Sequence, residues 1–441
     1  MIKTLLKSLR EYKKPSIIVP ILMAVEALME ILIPFLMTFI VGELQDVSTG
    51  DKAQININTI VICAVLMIVC ALLALYSGAL GGKLAAKASC GFAHNLREDM
   101  YNNLQSFSFA NIDNYSTSSL ITRITTDVTN VQNAYQMSIR MLVRAPVLFI
   151  ASIIMTLVIE PIMALIFAGA AIVLGIVVAF SMFRVVPYFR TMFKKYDSLN
   201  AVVQEDLTAI RVVKSYVRED REISKMEKAS GDVYTYSVKA ERILAIMMPT
   251  VMLVMFIVNI VILTVGSNMY VGNFAGSIEP KEIQTLIQYS AQILTGVMMV
   301  AMCLNFISLS KGSADRICEV LNEPTTLPKP EEPVFEVPDG TVDFENVSFC
   351  YSQKKDVTVL ENINLHIKSG ETVGIIGATG SGKTSLVSLI PRLYDVAGGS
   401  VKVGGIDVRR YNLDTLRSKV AMVLQKNVLF SGSIRENLKW G

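Results

Sequence analysis

Apolar residues are grouped along this chain into six long runs that are separated by polar segments. The runs span residues 17–41, 59–80, 141–159, 162–186, 244–265 and 283–307. A helix needs about 20 mainly apolar residues to cross the hydrocarbon core of a bilayer. The pattern therefore predicts six membrane-spanning helices. The first run is too long, and lacks the cleavage-site pattern, to be a removed signal peptide.

Two polar segments between these runs are long but carry a helical pattern. In the second, between the fourth and fifth runs, Val203, Leu207, Ile210, Val213 and Val217 recur at helical spacing. A helical extension of about 30 residues reaches about 45 Å. We expect the membrane helices to continue well beyond the bilayer, where they would contact the domain that follows. The alternative is a solvated helical hairpin with no coupling role.

The pattern changes after the sixth run. Residues 322–338 contain five prolines among Glu and Lys, which indicates a linker. Beyond it, residues 341–351 and 357–367 alternate apolar and polar positions, as paired strands do. We also predict strands at 371–376, at 400–408 with a turn at Gly404-Gly405, and at 420–424, and a short helix at 413–418.

These predictions divide the chain into three parts. Residues 1–321 form an α-helical six-span membrane domain, residues 322–338 a linker, and residues 339–441 the N-terminal part of an α/β domain. The predicted fold class is a six-span helical membrane domain followed by an incomplete α/β P-loop nucleotide-binding domain.

The sequence GATGSGKT at residues 377–384 matches the phosphate-binding P-loop, G-x-x-x-x-G-K-[ST]. It follows a strand-like run and opens a helix-like run at 384–390, the context that gives the motif its meaning. The glycines let backbone N–H groups surround phosphate oxygens, and Lys383 reaches the β- and γ-phosphates. Thr384 is placed to bind Mg²⁺. The predicted nucleotide-binding residues of this loop are Gly377, Thr379, Gly380, Ser381, Gly382, Lys383, Thr384 and Ser385.

Composition excludes several other classes of protein. Apolar residues make up 52% of the chain and the mean hydropathy is +0.47, which is high for a soluble protein of this size. A net charge of +3 gives no argument for a nucleic-acid partner. The six cysteines are scattered without a C-x-x-C motif, and the two histidines lie in unrelated contexts. These counts argue against a metal site built from Cys and His.

The distribution of Lys and Arg predicts the orientation of the spans. Cationic blocks lie at the N-terminus, at residues 83–144, at 184–242 and after 311, whereas the alternate loops contain few positive charges. Cytoplasmic loops carry the excess of Lys and Arg. We therefore expect both termini and the nucleotide domain on the cytoplasmic side, in a bacterial plasma membrane, with organelle membranes as the alternative.

Polar residues inside the spans are candidates for a substrate cavity, because charge within a bilayer tends to face protein or water. Glu26 and Glu30 lie four residues apart on one face of the first span and would attract a cationic, lipophilic substrate. The alternative is a polar contact with another helix, or one carboxyl held neutral. The remaining candidates for the cavity are Asn259, Gln288 and Gln292.

The chain resembles the exporter type of ABC transporter over nearly its whole length. In the α/β part the resemblance rests on residues 346–351 (NVSFCY), 359–365 (VLENINL), 377–385, 398–407 (GGSVKVGGID), 411–417 (YNLDTLR) and 423–438. In the membrane part it rests on residues 120–127 and 205–219. The family usually has Thr-Gly-Glu just before residue 120, where this chain has Ser118-Ser119.

The resemblance implies roles for further residues. Tyr351 would stack on the adenine ring of ATP, and Gln425 would have a catalytic role by reaching Mg²⁺ and the attacking water. One P-loop and six spans imply a half-transporter that needs a second half-transporter, identical or different. The implied function is ATP-driven export of lipophilic drugs, lipids or peptides.

Two features leave the function open at this stage. After Thr384 no run of four apolar residues ends in Asp, and the family's Walker B pair, signature loop and switch histidine would follow residue 441. We therefore expect a truncated protein or a gene fragment that does not hydrolyse ATP alone. The alternatives are a non-transporting ATP-binding membrane regulator and a partner-dependent half with a non-hydrolysing site.

Overall fold

The computed structural model describes residues 1–48, 54–272, 278–351, 358–425 and 428–439. These residues form two compact units. The helical unit comprises Leu6–Asn95 and Thr129–Ser313, and the sheet unit comprises Met1–Leu5, Leu96–Val128 and Ala314–Gly441. The boundaries predicted from the sequence, at residues 321 and 338, stay a prediction.

Helices make up most of the first 322 residues. They are α1 (Ile2–Lys7), α2 (Lys13–Ser48), α3 (Ile57–Gln105), α4 (Phe109–Asp113), α5 (Thr117–Thr122), α6 (Val128–Ile159), α7 (Pro161–Ser215), α8 (Glu219–Tyr270) and α9 (Pro280–Asn322). A 3₁₀ turn at Arg10–Tyr12 precedes α2, and one π-helical turn at Arg123–Asp127 joins α5 to α6.

Six of these helices are long and apolar enough to cross a membrane within the part of the chain that the structure describes. This number confirms the six spans predicted from the sequence. The helices α3, α7, α8 and α9 have 49, 55, 52 and 43 residues. Since about 20 residues cross the hydrocarbon core, each of these helices extends well beyond it.

Polar contacts as well as apolar packing join the first and last of the long helices. The Tyr289 hydroxyl of α9 donates to the backbone carbonyl of Ile31 in α2 at 3.1 Å. The hydroxyls of Thr38 and Thr285 lie 2.6 Å apart. Both contacts are buried, in a core that includes Ile31, Leu286 and Ile293. In an apolar surrounding, such paired hydroxyls fix the register of two helices.

The far ends of α7 and α8 form an antiparallel hairpin. Lys195 Nζ lies 2.7 Å from Asp232 Oδ2, and Lys225 Nζ lies 2.8 Å from Glu205 Oε2. These ion pairs are partly exposed, which fits a segment in water. The long polar segment between the fourth and fifth runs is therefore helical, as the sequence predicted.

The sheet unit contains a four-stranded antiparallel sheet. Its strands are β1 (Val342–Phe349), β2 (Leu360–Ile367), β3 (Gly398–Val403) and β4 (Ile406–Asp407), in the spatial order β2-β1-β3-β4. The remaining helices of this part are α10 (Lys383–Ser388), α11 (Leu413–Lys419) and α12 (Ile434–Leu438), with a 3₁₀ turn at Val408–Arg410. The predicted strands at 341–351, 357–367 and 400–408 and the helix at 413–418 are confirmed, apart from residues 352–357, which lie outside the described part.

A bulge in β1 sets which side chains face the core. Asn346 has a φ of +50° and interrupts the register, so that Val347 and Phe349 are buried beside Phe344. Gly399 on β3 lies against this bulge, and a Cβ there would approach the Asn346 carbonyl oxygen to 2.3 Å. Only glycine therefore allows β3 to pair with the bulged strand.

Two strand predictions are wrong. Residues 371–376 and 420–424 have no regular secondary structure, and Ile376 and Val423 are 99% and 87% exposed. Their apolar composition favoured buried strands. A strand needs a hydrogen-bonded neighbour, however, and among the described residues neither segment pairs with the sheet.

The proline-rich linker is attached to the sheet unit along part of its length. Val334 donates its N–H to the Arg410 carbonyl at 2.9 Å and accepts from the Asn412 N–H at 3.0 Å. Leu327 is buried, and the Pro328 carbonyl accepts a hydrogen bond from Arg392. The linker of this chain is therefore packed rather than a free tether.

Candidate nucleotide site and membrane cavity

The P-loop turns on two glycines with positive φ. Gly380 and Gly382 have φ values of +86° and +83°, in the left-handed region that disfavours other residues. Gly382 is also the residue that precedes α10, and a Cβ there would lie 2.8 Å from Leu360 Cδ2 of β2. The loop therefore takes its path, and α10 its position beside β2, because both residues are glycine.

Lys383 is the first residue of α10 and folds back over the loop. Its Nζ donates to the carbonyl oxygens of Gly377 and Ala378 at 2.8 and 2.7 Å, and to Ser381 Oγ at 3.2 Å. All three partners are neutral oxygen atoms of the loop itself. A phosphate group would give the ammonium a charged partner at the same place, and charge-assisted hydrogen bonds are the stronger kind.

The two hydroxyl residues after Lys383 have different surroundings. Thr384 is exposed, so its hydroxyl is accessible to an incoming ion. Ser385 is buried, and its Oγ lies 2.7 Å from the Tyr351 hydroxyl. The structure therefore joins two predicted site residues, Tyr351 and Ser385, directly.

Tyr351 is part of an aromatic cluster that sequence reasoning did not identify. Its ring makes edge contacts with the rings of Phe349 and Tyr394, at centroid distances of 4.8 and 5.2 Å. Tyr351 is still 48% exposed, so part of the ring is accessible. An exposed aromatic face next to a P-loop is suited to stacking on a base.

Tyr394 continues this cluster to the short helix α4. Its hydroxyl donates to Asp113 Oδ2 at 2.7 Å, and its ring lies 6.0 Å from that of Phe109. Burial raises the pKa of Tyr394, and the hydrogen bond to the Asp113 carboxylate raises it further. Residues 109–113 belong to the first long polar segment of the membrane part. Within the sheet unit, this segment is therefore linked through Tyr394 to Tyr351.

The remaining predicted nucleotide residues have fewer contacts. Thr379 and Gln425 are exposed, and Gln425 is followed by residues 426–427, which lie outside the described part. Gly377 is closely approached by Ser381, whose Oγ would lie 2.7 Å from a Cβ at that position. The roles of these residues in binding nucleotide and Mg²⁺ stay predictions.

In the helical unit, Glu26 and Glu30 share one arginine. Arg144 of α6 lies 2.9 Å from Glu26 Oε1 through Nη1 and 2.7 Å from Glu30 Oε1 through Nη2. The side chains of Glu26 and Arg144 are only 13% and 18% exposed. Among the described residues, Glu26 Oε2 and Arg144 Nε have no hydrogen-bond partner. We call these three residues the carboxylate–arginine triad.

The sequence contains a signal for Arg144. This residue belongs to the cationic block 83–144 but also lies inside the predicted span 141–159. Two acidic residues on one face of a span require a counter-charge, since an unpaired charge in the bilayer is costly. An arginine inside another span was therefore the partner to look for.

The other polar candidates lie near α9. Gln292 Nε2 donates to the Glu30 backbone carbonyl at 3.2 Å, and the Asn259 side chain accepts from the Ser290 hydroxyl at 2.8 Å. Gln288 is half-buried. The structure thus places Glu26, Glu30 and Gln292 together and Asn259 at a separate helix contact.

A large apolar cavity lies elsewhere in the helical unit, between α6, α7 and α9. It has a volume of about 940 Å³. Its walls include Ala145, Phe149, Gly175, Val178, Phe183, Pro187, Arg190, Gly296, Val300 and Leu304. None of the five polar residues predicted for the cavity is among the described residues that line it.

These features define a class of protein: a chain in which six helices long and apolar enough to cross a membrane are followed by a P-loop domain. Comparison with known proteins agrees with this class. Residues 16–298 match the family described as "ABC transporter transmembrane region", and residues 360–440 match the family described as "ABC transporter". The chain belongs to the ABC transporters and is a multi-pass membrane protein of the exporter type.

Several bacterial proteins are similar to this chain. The "Uncharacterized ABC transporter ATP-binding protein YfiB" of Bacillus subtilis is 31% identical over 436 residues, which cover 99% of this chain and 74% of that protein. Rv1273c of Mycobacterium tuberculosis, which carries the same description, is 31% identical over 445 residues, which cover 100% and 74%. The "Fatty acid ABC transporter ATP-binding/permease protein" of Mycobacterium bovis is 30% identical over 350 residues, which cover 78% and 54%.

Proposed function

We propose that this chain is a half-transporter that binds MgATP at the P-loop and exports lipophilic compounds from the cytoplasm or the inner leaflet. The observation that carries the proposal is the position of Lys383, whose ammonium is held only by neutral oxygens of the loop. A triphosphate can replace those partners with charged ones. The six long helices supply the membrane path.

The other predicted residues complete the nucleotide site. Thr384 and Gln425 would hold Mg²⁺, which neutralises charge on the β- and γ-phosphates when bound. Tyr351 would stack on adenine through its exposed face.

The distribution of charge and the relatives support the direction of transport and the substrate class. The excess of Lys and Arg at the ends and in alternate loops supports a cytoplasmic P-loop, and the relatives support a bacterial plasma membrane. The printed name of one relative specifies fatty acid, which falls within the lipophilic drugs, lipids and peptides that we propose for this chain.

We also propose that the protein functions with a second half-transporter, identical or different, in the bilayer. Residues 1–441 alone would bind ATP without hydrolysing it, because no run of four apolar residues after Thr384 ends in the Asp that such sites use for Mg²⁺. Phosphate release by the purified chain tests this point. Release that depends on Lys383 would show that the chain hydrolyses ATP by itself.

Photolabelling with 8-azido-ATP tests the nucleotide site. We expect Mg²⁺-dependent labelling of the wild-type chain in membranes, and at least tenfold weaker labelling of Lys383→Ala, since a charge-assisted phosphate contact is lost. Lys368→Ala is the matched control, because Lys368 is an exposed lysine at the end of β2. Equal labelling of all three proteins would refute the assignment of the site.

A further inference from the structure

The apolar cavity between α6, α7 and α9 has one charged residue in its wall. Arg190 is the only charged side chain among the described residues that line it. Arg190 is exposed, and no ion pair is found for its guanidinium within the described ranges. This differs from Arg144, which has two carboxylate partners.

Glycines and prolines provide the space for this cavity. Gly175 of α7 has no atom within 4 Å of the place where a Cβ would stand, so that helix presents an open surface. Pro146 of α6 and Pro187 of α7 also line the cavity, and a proline inside a helix removes a hydrogen bond and bends the helix. Gly296 allows α9 to approach the Ala145 carbonyl at the cavity's wall.

The cavity is elongated along α7. Its walls run along this helix from Ala171 to Arg190, about 28 Å at 1.5 Å per residue, and Arg190 lies at one end.

The walls of the cavity are apolar apart from Arg190, so its interior suits an alkyl group. Phe183 is 81% exposed, so the channel opens sideways between the helices.

We propose that this cavity binds an amphiphile with a carboxylate headgroup, with its alkyl chain between α6, α7 and α9 and the carboxylate on Arg190. The planar guanidinium matches a carboxylate through two parallel hydrogen bonds. An apolar channel that ends at an uncompensated cation selects for a negative headgroup. This inference rests on the proposed export of lipophilic compounds and names the chemical class of the substrate.

Binding of radiolabelled hexadecanoate to the purified chain in nanodiscs of zwitterionic lipid tests the inference. Hexadecanol and hexadecyltrimethylammonium serve as neutral and cationic probes with the same chain length. We expect saturable binding of hexadecanoate, at least tenfold weaker binding of the other two, and at least a tenfold loss in Arg190→Gln. In Arg190→Glu the preference should shift to the cationic probe.

Matched variants separate the cavity from the membrane surface. Arg184 lies on the same helix but does not line the cavity, and its guanidinium lies over the Phe180 ring at 5.3 Å. Arg184→Gln should leave binding unchanged. Gly175→Leu should weaken hexadecanoate binding by filling the channel, whereas Gly169→Leu, at an open glycine outside the cavity, should not.

Three results would overturn the inference. The first is equal binding of the three probes to the wild type. The second is an equal loss of hexadecanoate binding in Arg184→Gln and Arg190→Gln. The third is that the wild type binds no probe and that Gly175→Leu changes the oligomeric state, which would make the cavity an interface between copies. Photolabelling by 8-azido-ATP is measured on the same samples. Labelling of a variant shows that the variant is folded. If the wild type itself were not labelled, the proposed function would be refuted, whereas the binding of an amphiphile in the cavity would not.

Discussion

The P-loop and the carboxylate–arginine triad each hold a cation, but they hold it in opposite ways. Lys383 is bonded to neutral carbonyl and hydroxyl oxygens at the surface, whereas Arg144 is bonded to two carboxylates in the helical unit. Phosphate oxygens can replace the partners of Lys383 with a gain in charge pairing. Replacing the partners of Arg144 would leave two acidic side chains unpaired. The comparison indicates that Lys383 is available to a ligand and that Arg144 has a structural role.

The triad also bears on the choice between the two readings of Glu26 and Glu30. Two carboxylates and one guanidinium leave a net charge of −1, so half of the negative charge that would attract a cationic substrate is already compensated. Glu26 also lies against α3, since a Cβ at Gly78 would approach its Oε1 to 2.9 Å. The contacts support the reading in which the glutamates join helices.

The largest effect is expected when Arg144 is removed. Arg144→Ala leaves Glu26 and Glu30 without their partner, and breaking a buried ion pair costs about 3 kcal/mol or more. Thermal unfolding of the purified variant measures this loss of stability. The triple variant Glu26→Gln, Glu30→Gln, Arg144→Met is the control and should recover most of it. A stability of Arg144→Ala within about 0.5 kcal/mol of wild type would contradict a structural triad.

A smaller effect is expected for Glu30→Gln. Glu30 is the more exposed of the two glutamates, and its loss leaves the Glu26–Arg144 pair with no net charge. We predict a change below about 1 kcal/mol in the same unfolding assay. A loss as large as that of Arg144→Ala would show that Glu30, rather than Glu26, holds the arginine.

At the nucleotide end, the contact between Tyr394 and Asp113 is expected to contribute about 1 kcal/mol, as one solvent-exposed hydrogen bond. Tyr394→Phe keeps the ring contacts with Tyr351 and Phe109 and removes only the hydroxyl. A double-mutant cycle with Asp113→Asn isolates the pairwise energy. A coupling energy near zero would mean that the hydroxyl does not link α4 to the aromatic cluster.

The smallest effect concerns an exposed pair in the sheet. Hydrogen bonds from Lys402 and Ser400 lower the pKa of Glu345 from its ordinary value of about 4.5. A carboxyl group whose pKa is lower in the folded state stabilises the protein at pH values above its ordinary pKa. This stability is lost as the pH falls through the pKa of the folded state. Lys402→Met should make unfolding slightly less sensitive to acid between about pH 5 and 3. An unchanged pH dependence would mean that solvent screens the pair completely.

The sequence predicted those elements whose pattern is sufficient to form them. Six apolar runs gave six long helices, and the run 400–408 with its double glycine formed the β3–β4 hairpin. Residues 371–376 and 420–424 have the same apolar character but form no strand, and among them only Val420 and Met422 are half-buried. The hydrophobic pattern indicates which residues tend to be buried. A strand also needs a neighbouring strand to pair with, and the pattern does not specify that neighbour.

The candidate sites could be predicted only in part for a similar reason. The P-loop is a local motif, so its residues were visible in eight consecutive positions. Tyr351 is linked through Tyr394 to Asp113. Tyr394 and Asp113 are 281 positions apart in the sequence, and no periodicity relates them. The residues predicted for a cavity are polar, whereas the apolar cavity between α6, α7 and α9 is lined by apolar side chains, glycines, prolines and one arginine. These residues come together only when the helices are packed.

Amide hydrogen exchange with and without MgATP tests the central claim most directly, because it compares the two cations in one sample. The account predicts slower exchange at residues 377–385 when MgATP is added, no change at residues 24–32 and 140–148, and no response at 377–385 in Lys383→Ala. Identical exchange at 377–385 with and without MgATP would contradict the claim that Lys383 gives up its neutral partners to a triphosphate.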